Sequence, residues 1–438
     1  MPTVAITTLG CRLNQAESDS MTEQLGARGV ALAPAGAAPD VVVINTCTVT
    51  REATKASRSA IRRAVRSHPD AKVVVVGCYA VSDPGEIEAI EGVDVVLGND
   101  AKERFAEALG VATPTAPLLQ IGLPPAARPP DVVPRVRSNL KVQTGCDEWC
   151  TFCIIPTTRG ALRSLDEDGL IAEARTMVGS GAREVILTGV HLGKYTYDSG
   201  GDERSLVRLF KRLVDIDGLQ RLRLSSILSN HLTEELIDFM AAEPRMCPYL
   251  HVPLQSGDDG VLRVMHRPYR AQEFLAAVER AKAVIPSLAL ATDIIVGFPG
   301  ETDEAFAATM DMVRRVEFSK LHVFRYSARP GTPAAELSGA VHPDIKKERS
   351  KQLIGLGNEL RSRFLRAHLG PPLEVLVEDE RSVDGIGVCS GQTGDYVRVF
   401  FEASGLLGSI VSVQGERIRA DGVGGRLVSV VLSNSVSN

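Results

Sequence analysis

Six of the chain's eight cysteines fall into two sets whose placement suits metal chemistry. The first is Gly145-Cys146-Asp147-Glu148-Trp149-Cys150-Thr151-Phe152-Cys153, with C-x3-C-x2-C spacing. A loop this short holds three thiolates close together, which suits three corners of a cubane iron–sulfur cluster. Three neighbouring buried thiols or a three-ligand zinc site compete with that reading, and zinc wants a fourth ligand that no nearby histidine supplies. The second set is Cys11, Cys47 and Cys78, each lying one to three residues beyond the carboxyl end of a predicted strand. In a parallel α/β sheet those ends share one edge, where ligand sites form, so these thiols can converge on a second cluster. Three small buried core residues are the alternative. Cys247 and Cys389 have no such company and read as structural.

The elements that must position these residues change texture along the chain. Residues 1–111 alternate β-branched runs (Val4–Thr8, Val41–Ile44, Val73–Val76, Val93–Leu97) with amphipathic stretches, which predicts an open parallel α/β sheet. Residues 112–137 carry prolines 114, 117, 124, 125, 129, 130 and 134, a density that marks a linker. Over 138–370 the strand–helix alternation resumes, with strands expected at Leu140–Gln143, Glu184–Gly189, Arg221–Leu228, Leu250–Leu254, Leu290–Gly297 and Lys320–Tyr326. Six βα repeats predict a partial (β/α)6 TIM-type barrel with its site at the strands' carboxyl ends. Residues 371–438 hold strands only, at Leu373–Val377, Tyr396–Phe401 and Leu407–Val413, which predicts a small antiparallel OB-like β-barrel.

Composition narrows the setting. The 438 residues carry a net charge of −5, too mild for a general polyanion binder, so any nucleic-acid contact must be local. No apolar run approaches the roughly 18 residues that span a bilayer, and the first residues lack the basic start of a secretory signal. A cytoplasmic protein without a membrane partner is expected, and in that reducing compartment disulfides are a poor explanation for the cysteines. One predicted helix places Arg51, Lys55, Arg58, Arg62 and Arg66 on a basic face, with Ala53, Ala56, Ala60, Ile61 and Ala64 opposite. It starts just after Cys47; the choice lies between a solvated face and phosphate contact. The last domain has five arginines, no lysine and nine carboxylates, so a nucleic-acid contact there requires Arg398, Arg417, Arg419 and Arg426 to gather on one side.

Taken together, the motifs resemble the radical S-adenosylmethionine (SAM) methylthiotransferase family along essentially the whole chain. Thr8-Leu9-Gly10-Cys11-Arg12-Leu13-Asn14, Asn45-Thr46-Cys47-Thr48-Val49 and Gly77-Cys78-Tyr79-Ala80 resemble its three N-terminal cysteine motifs. The core matches through Gly145–Gly160, Thr188–Gly193, Pro253–Gly257, Gly297–Thr302 and Arg325–Thr332, and the last domain resembles a TRAM domain. The resemblance implies two [4Fe–4S] clusters, one on Cys146, Cys150 and Cys153 with SAM on the open iron, the other on Cys11, Cys47 and Cys78. It also implies that SAM is both radical source and methyl donor. Phe152 occupies the family position that packs against the SAM adenine, and Thr188 and Gly189 lie where the SAM-amino motif ends a strand. Ser225 and Ser226 lie near a fourth-strand position that often meets the ribose. Gln255 follows a strand at the same mouth, and Gly297 permits close backbone approach. His191 and His251 read as structural.

Three branches of the family modify isopentenyladenosine in tRNA, threonylcarbamoyladenosine in tRNA, or an aspartate of a ribosomal protein. The opening Gly-Cys-Arg-Leu-Asn-Gln-Ala-Glu and the Cys247–Gln255 run resemble the threonylcarbamoyl branch. The Gly-Cys-Pro-Lys-Asn and Gly-Cys-Gln-Met-Asn openings of the others are absent. The resemblance therefore implies insertion of methylthio at C2 of threonylcarbamoyladenosine-37 in the tRNA anticodon loop, by a monomer served by a low-potential electron donor and a sulfur donor. Isopentenyladenosine-37 is the nearest alternative substrate, and an iron–sulfur RNA-binding redox sensor the alternative of another class.

Overall fold

The computed structural model describes residues 2–34, 36–111, 135–383 and 385–432. Of the linker expected at 112–137, residues 112–134 therefore lie outside the described residues. The chain forms two compact units, Met1–Val133 with Thr144–Arg163 and Ser327–Ala335, and Pro134–Gln143 with Ser164–Tyr326 and Glu336–Asn438.

The first unit is built on a five-stranded parallel sheet, in the order Ala31–Leu32, Thr3–Thr8, Val41–Thr46, Lys72–Gly77, Val95–Leu97. Its central strands are apolar on both faces because both faces are covered. Val74 and Val76 pack with Met21, Leu25 and Phe105, whereas Val73 and Val75 pack with Ile61, Tyr79 and Ile87. The helix Arg51–Ser67 starts where the Thr50 side chain accepts the Ala53 amide at 3.0 Å. It buries Ser57 and Ile61, while Ala56 is exposed, so its apolar side is narrower than the alanine spacing predicts.

The second unit contains the expected arc. Arg137–Lys141, Glu184–Thr188 and Arg221–Leu224 form one parallel sheet, and Tyr249–His251, Ala289–Val296 and Lys320–Arg325 another. Parallel bridges Leu222–Met246 and Ser226–His251 join them, giving six parallel strands in chain order. Helices Glu167–Gly179, Ser205–Val214, Glu234–Ala242, Ala271–Val284, Asp303–Val316 and Pro343–Arg366 accompany them. Leu187, Leu224, Leu250, Val252, Leu290 and Ile294 meet Phe210, Phe274 and Phe318 in one core on the helix side.

The C-terminal part is a closed five-stranded barrel, in the order Pro372–Val383, Ile386–Gln392, Arg398–Glu402, Gly422–Leu432, Ile410–Arg419. Two of these strands, Ile386–Gln392 and Gly422–Leu432, escape the sequence pattern because glycines interrupt their apolar alternation. A small barrel needs those glycines: a Cβ on Gly391 would lie 2.0 Å from the Leu376 carbonyl oxygen. The barrel is tied to the amino ends of the arc strands by buried charge. Glu184 accepts from Arg223 Nε at 2.6 Å and Arg137 Nε at 3.0 Å, Arg137 continues to Glu378 and Tyr396, and Arg221 donates to the Gln392 carbonyl.

Candidate active site

All six candidate cluster cysteines belong to the first unit. Cys11, Cys47 and Cys78 follow three adjacent strands of its sheet, so they emerge side by side on the carboxyl edge. Cys11 immediately precedes the helix Arg12–Gly26, and Cys78 opens the short helix Cys78–Ser82. Cys47 is clamped through its backbone by the buried Ser57 hydroxyl, which accepts its N–H at 3.1 Å and donates to its carbonyl at 2.8 Å. Close approach is made possible by Gly10. Its φ of +101° suits glycine, and a Cβ there would lie 2.6 Å from Cys47 Cβ and 2.8 Å from its sulfur. Burial raises the Cys47 thiol pKa, and the neighbouring thiols of Cys78 and Cys11 push the same way.

The other trio sits on a turn pinned at both ends. Gly145, at φ +74°, has no room for a side chain because a Cβ would lie 1.8 Å from the Ala161 carbonyl oxygen. The Cys146 amide donates to Gly160, and the Cys153 amide to Cys150. Ala334, from the segment after the last arc strand, donates to the Thr151 carbonyl at 2.9 Å. Burial raises the Cys146 thiol to about 11, with the Cys150 thiol adding to it. Phe152 is half-buried in this turn. Among the described residues, neither cysteine trio gathers all its sulfurs within 4.8 Å. One tetrahedral zinc would draw them to roughly 3.8 Å, given Zn–S bonds of about 2.3 Å. Three thiols per trio are a donor set that suits a cubane cluster with one iron left open.

Between the two trios runs a buried polar network that sequence spacing does not reveal. Arg159, just past the cysteine turn, donates to Glu17 at 2.8 and 3.1 Å and to Asn14 Oδ1 at 2.6 Å. Lys102 donates to the same Glu17 at 2.7 Å, and the three charged side chains are at most 3% exposed. Burial opposes the Arg159 charge, but Glu17 outweighs it and raises its pKa. Asn99 donates to the Thr158 carbonyl at 2.8 Å and reaches the Cys78 sulfur at 3.6 Å. Arg329 donates to Thr48 Oγ1 at 2.9 Å and Thr54 Oγ1 at 3.0 Å, holding the loop that follows Cys47.

The remaining candidates lie in the second unit, at carboxyl ends of its arc. Thr188 ends a strand, buried, and Gly189 follows. The space a Gly189 side chain would need is taken by Leu192 and by Gln143, whose Oε1 accepts the Val190 and His191 amides at 2.9 and 2.8 Å. Ser225 and Ser226 are half-buried and follow the third strand of the arc rather than the fourth, a difference of one βα repeat from the expected ribose position. Gln255 is buried with φ +69°, and its Oε1 has no hydrogen-bond partner among the described residues. The close approach that Gly297 permits is made by Lys346, whose Cγ would lie 2.3 Å from a Cβ there. Cys247 and Cys389 are buried, as structural thiols should be.

Basic surface occurs in each unit. On the helix after Cys47, Arg51, Lys55, Arg62 and Arg66 are exposed, but Arg58 is committed to Tyr79 and Glu86. In the C-terminal barrel the arginines do gather. Arg398 and Arg419 cover the Phe400 ring at 4.9 and 5.3 Å, and Arg417 and Arg419 flank Gly424. Asp421 and Glu416 pair with Arg398 and Arg426 at 3.5 Å, so the patch is only partly neutralised.

Comparison with known proteins agrees with this geometry. Residues 3–98 match the family described as uncharacterized protein family UPF0004, and residues 140–313 match the radical SAM superfamily. The chain is 36% identical over 424 residues to the threonylcarbamoyladenosine tRNA methylthiotransferase MtaB of Bacillus subtilis, covering 94% of each. It is 37% identical to the tRNA-2-methylthio-N(6)-dimethylallyladenosine synthase of Parafrankia sp., covering 89% of this chain and 81% of that one. Its fold resembles the radical SAM methyltransferase TsrM of Kitasatospora setae, with a TM-score of 0.55 and 18% identity over 76% of this chain and 75% of that one. The fold is that of a radical SAM enzyme. Within that class, the chain belongs to the methylthiotransferase family. Its cofactors are those of the family, SAM and two [4Fe–4S] clusters. Among the described residues, no helix is long and apolar enough to cross a membrane.

Proposed function

We propose that the protein inserts a methylthio group at C2 of N6-threonylcarbamoyladenosine-37 in tRNA, in the cytoplasm. The observation that carries this reading is the pair of cysteine trios held in one compact unit, beside relatives named for that reaction. Cys146, Cys150 and Cys153 would hold the cluster that binds SAM, and Cys11, Cys47 and Cys78 the second cluster. Bound there, these groups supply reductive cleavage of SAM and delivery of sulfur, chemistry that ordinary acid–base side chains cannot perform on an aromatic C–H. The chain's own residues position the two centres. Ser57 and Gly10 place Cys47, the Gly145 turn places Cys146, and Arg159 ties the turn to the helix that follows Cys11. Thr188, Gly189, Ser225, Ser226 and Gly297 belong to the arc mouth and are proposed as SAM contacts, and Phe152 is proposed as one within the cysteine turn.

Gathering of the C-terminal arginines around Phe400 supports an RNA-facing role for the last barrel despite its acidic total. Arg51, Lys55, Arg62 and Arg66 are proposed as phosphate contacts. Mass spectrometry of tRNA nucleosides from a deletion strain tests the substrate. Loss of the methylthio mark from threonylcarbamoyladenosine alone is expected; loss from isopentenyladenosine would replace the substrate and keep the chemistry. Anaerobic reconstitution should load about eight irons per chain, falling to about four in Cys47→Ala.

A further inference from the structure

The inner wall of the arc carries a polar cluster that neither cysteine trio uses. Along the strand Tyr249–His251, Leu250 enters the helix-side core, so His251 faces the opposite way. By the same alternation Ile294 and Val296 face the helices while Asp293 does not, and Leu321 and Val323 leave His322 on the inner wall. His251 Nε2 lies 3.0 Å from Asp293 Oδ1, and the His251 and His322 rings stack at 5.5 Å. Asp293 and His322 are register partners on adjacent strands, and the side chains of His251 and Asp293 keep 22% and 25% exposure. Gln255 joins the cluster through its backbone N–H, which donates to the Asp293 carbonyl at 2.8 Å. The residue is 8% exposed, its Oε1 has no partner among the described residues, and its backbone is held at φ +69°, a conformation a non-glycine residue keeps only when its surroundings enforce it.

We propose that His251, Asp293, Gln255 and His322 form the pocket that reads the N6 substituent of the target adenosine, selecting a ureido-linked hydroxy acid. This rests on the threonylcarbamoyl reading above. Such a substituent brings ureido N–H donors that the Gln255 and Asp293 oxygens can accept, and a hydroxyl and carboxylate that imidazole N–H groups can bind. An isopentenyl chain offers no polar atom. Seated here it would strip water from the site and leave Gln255 Oε1 unanswered, at about 1–3 kcal/mol for each polar atom so stranded. A site built to hydrogen-bond therefore rejects the apolar analogue more strongly than an apolar pocket rejects the polar one.

The test is binding, without turnover, of fluorescent anticodon stem-loop RNAs carrying threonylcarbamoyladenosine, isopentenyladenosine or unmodified adenosine at position 37. Reconstituted full-length protein should prefer the threonylcarbamoyl RNA over the isopentenyl RNA. His322→Leu should shrink that preference by about fivefold or more, leave affinity for the unmodified RNA unchanged, and be partly rescued in His322→Gln. A wild-type preference that survives intact in His322→Leu and Gln255→Asn overturns the pocket assignment alone. A wild-type preference for the isopentenyl RNA overturns both the pocket and the substrate reading.

Discussion

Glu17→Gln is the sharpest perturbation the first unit offers. The wild-type carboxylate is shared by two buried cations, accepting from Arg159 at 2.8 and 3.1 Å and from Lys102 at 2.7 Å, with no side chain of the three above 3% exposure. Removing one partner of a buried ion pair costs about 3–5 kcal/mol, because the survivor stays desolvated without compensation. Here two cations are stranded, so the cost should sit at or above the middle of that range. Lys102→Met is milder, about 1.5 kcal/mol, since Glu17 keeps both hydrogen bonds from Arg159. Arg159→Met belongs near the lower end of the first range. Because Glu17→Gln and Arg159→Met delete the same interaction, their double variant should cost less than the sum by about 1–3 kcal/mol. The chain has a single tryptophan, Trp149, inside the cysteine turn of this unit, so urea unfolding followed by its fluorescence reports the unit directly. A cost below about 1 kcal/mol for Glu17→Gln, or strict additivity in the double variant, would refute the view that this network braces the two trios.

Three further outcomes follow from named geometry. Burial pushes the Glu184 carboxyl up, but Arg223 and Arg137 outweigh it and hold it at about 2, against an ordinary 4.5. A depressed folded-state pKa adds stability above the unfolded value that is lost as pH falls. Acid should therefore remove on the order of 3 kcal/mol between about pH 4.5 and pH 2, and an acid melt of Glu184→Gln should lack that component. In Gly10→Ala the new Cβ meets Cys47, so iron after anaerobic reconstitution should fall from about eight toward four per chain; an unchanged iron assay would mean that the close approach is dispensable. Arg398→Ala with Arg419→Ala should lower the slope of log affinity for tRNA against log salt by about one for each phosphate no longer neutralised; an unchanged slope would take the last barrel out of RNA binding.

Much of the fold was legible because its signals are local. Four β-branched runs with helical stretches between them make a parallel sheet, and Val73–Val76 shows why: alternate valines serve the two covered faces. The cysteine turn was legible because three ligands fit into eight residues. The second trio was legible only through topology, since strand ends of a parallel sheet meet whatever their separation in sequence. The brace was not legible. Arg159 and Glu17 are 142 positions apart, and nothing in either neighbourhood marks them as partners. Two barrel strands were missed because glycine removes the side chains from which alternation is read, at the positions where a tight barrel has no space for them.

Charge shows the same division between local and global. A total of −5 says nothing about where an RNA phosphate would rest, because the field that matters decays within about a Debye length, roughly 8–10 Å. Within the C-terminal barrel, nine carboxylates outnumber five arginines, yet strand register brings Arg398, Arg417 and Arg419 around Phe400 and Gly424. Asp421 and Glu416 answer two of the barrel's arginines at 3.5 Å across exposed surface, where ion pairs contribute little and yield readily to phosphate. Glu378 and Glu374 are instead engaged by Arg137 and Arg221 of the arc strands. Two of the nine carboxylates thus anchor the domain to the arc, and its RNA contact must be judged on the face that holds Phe400.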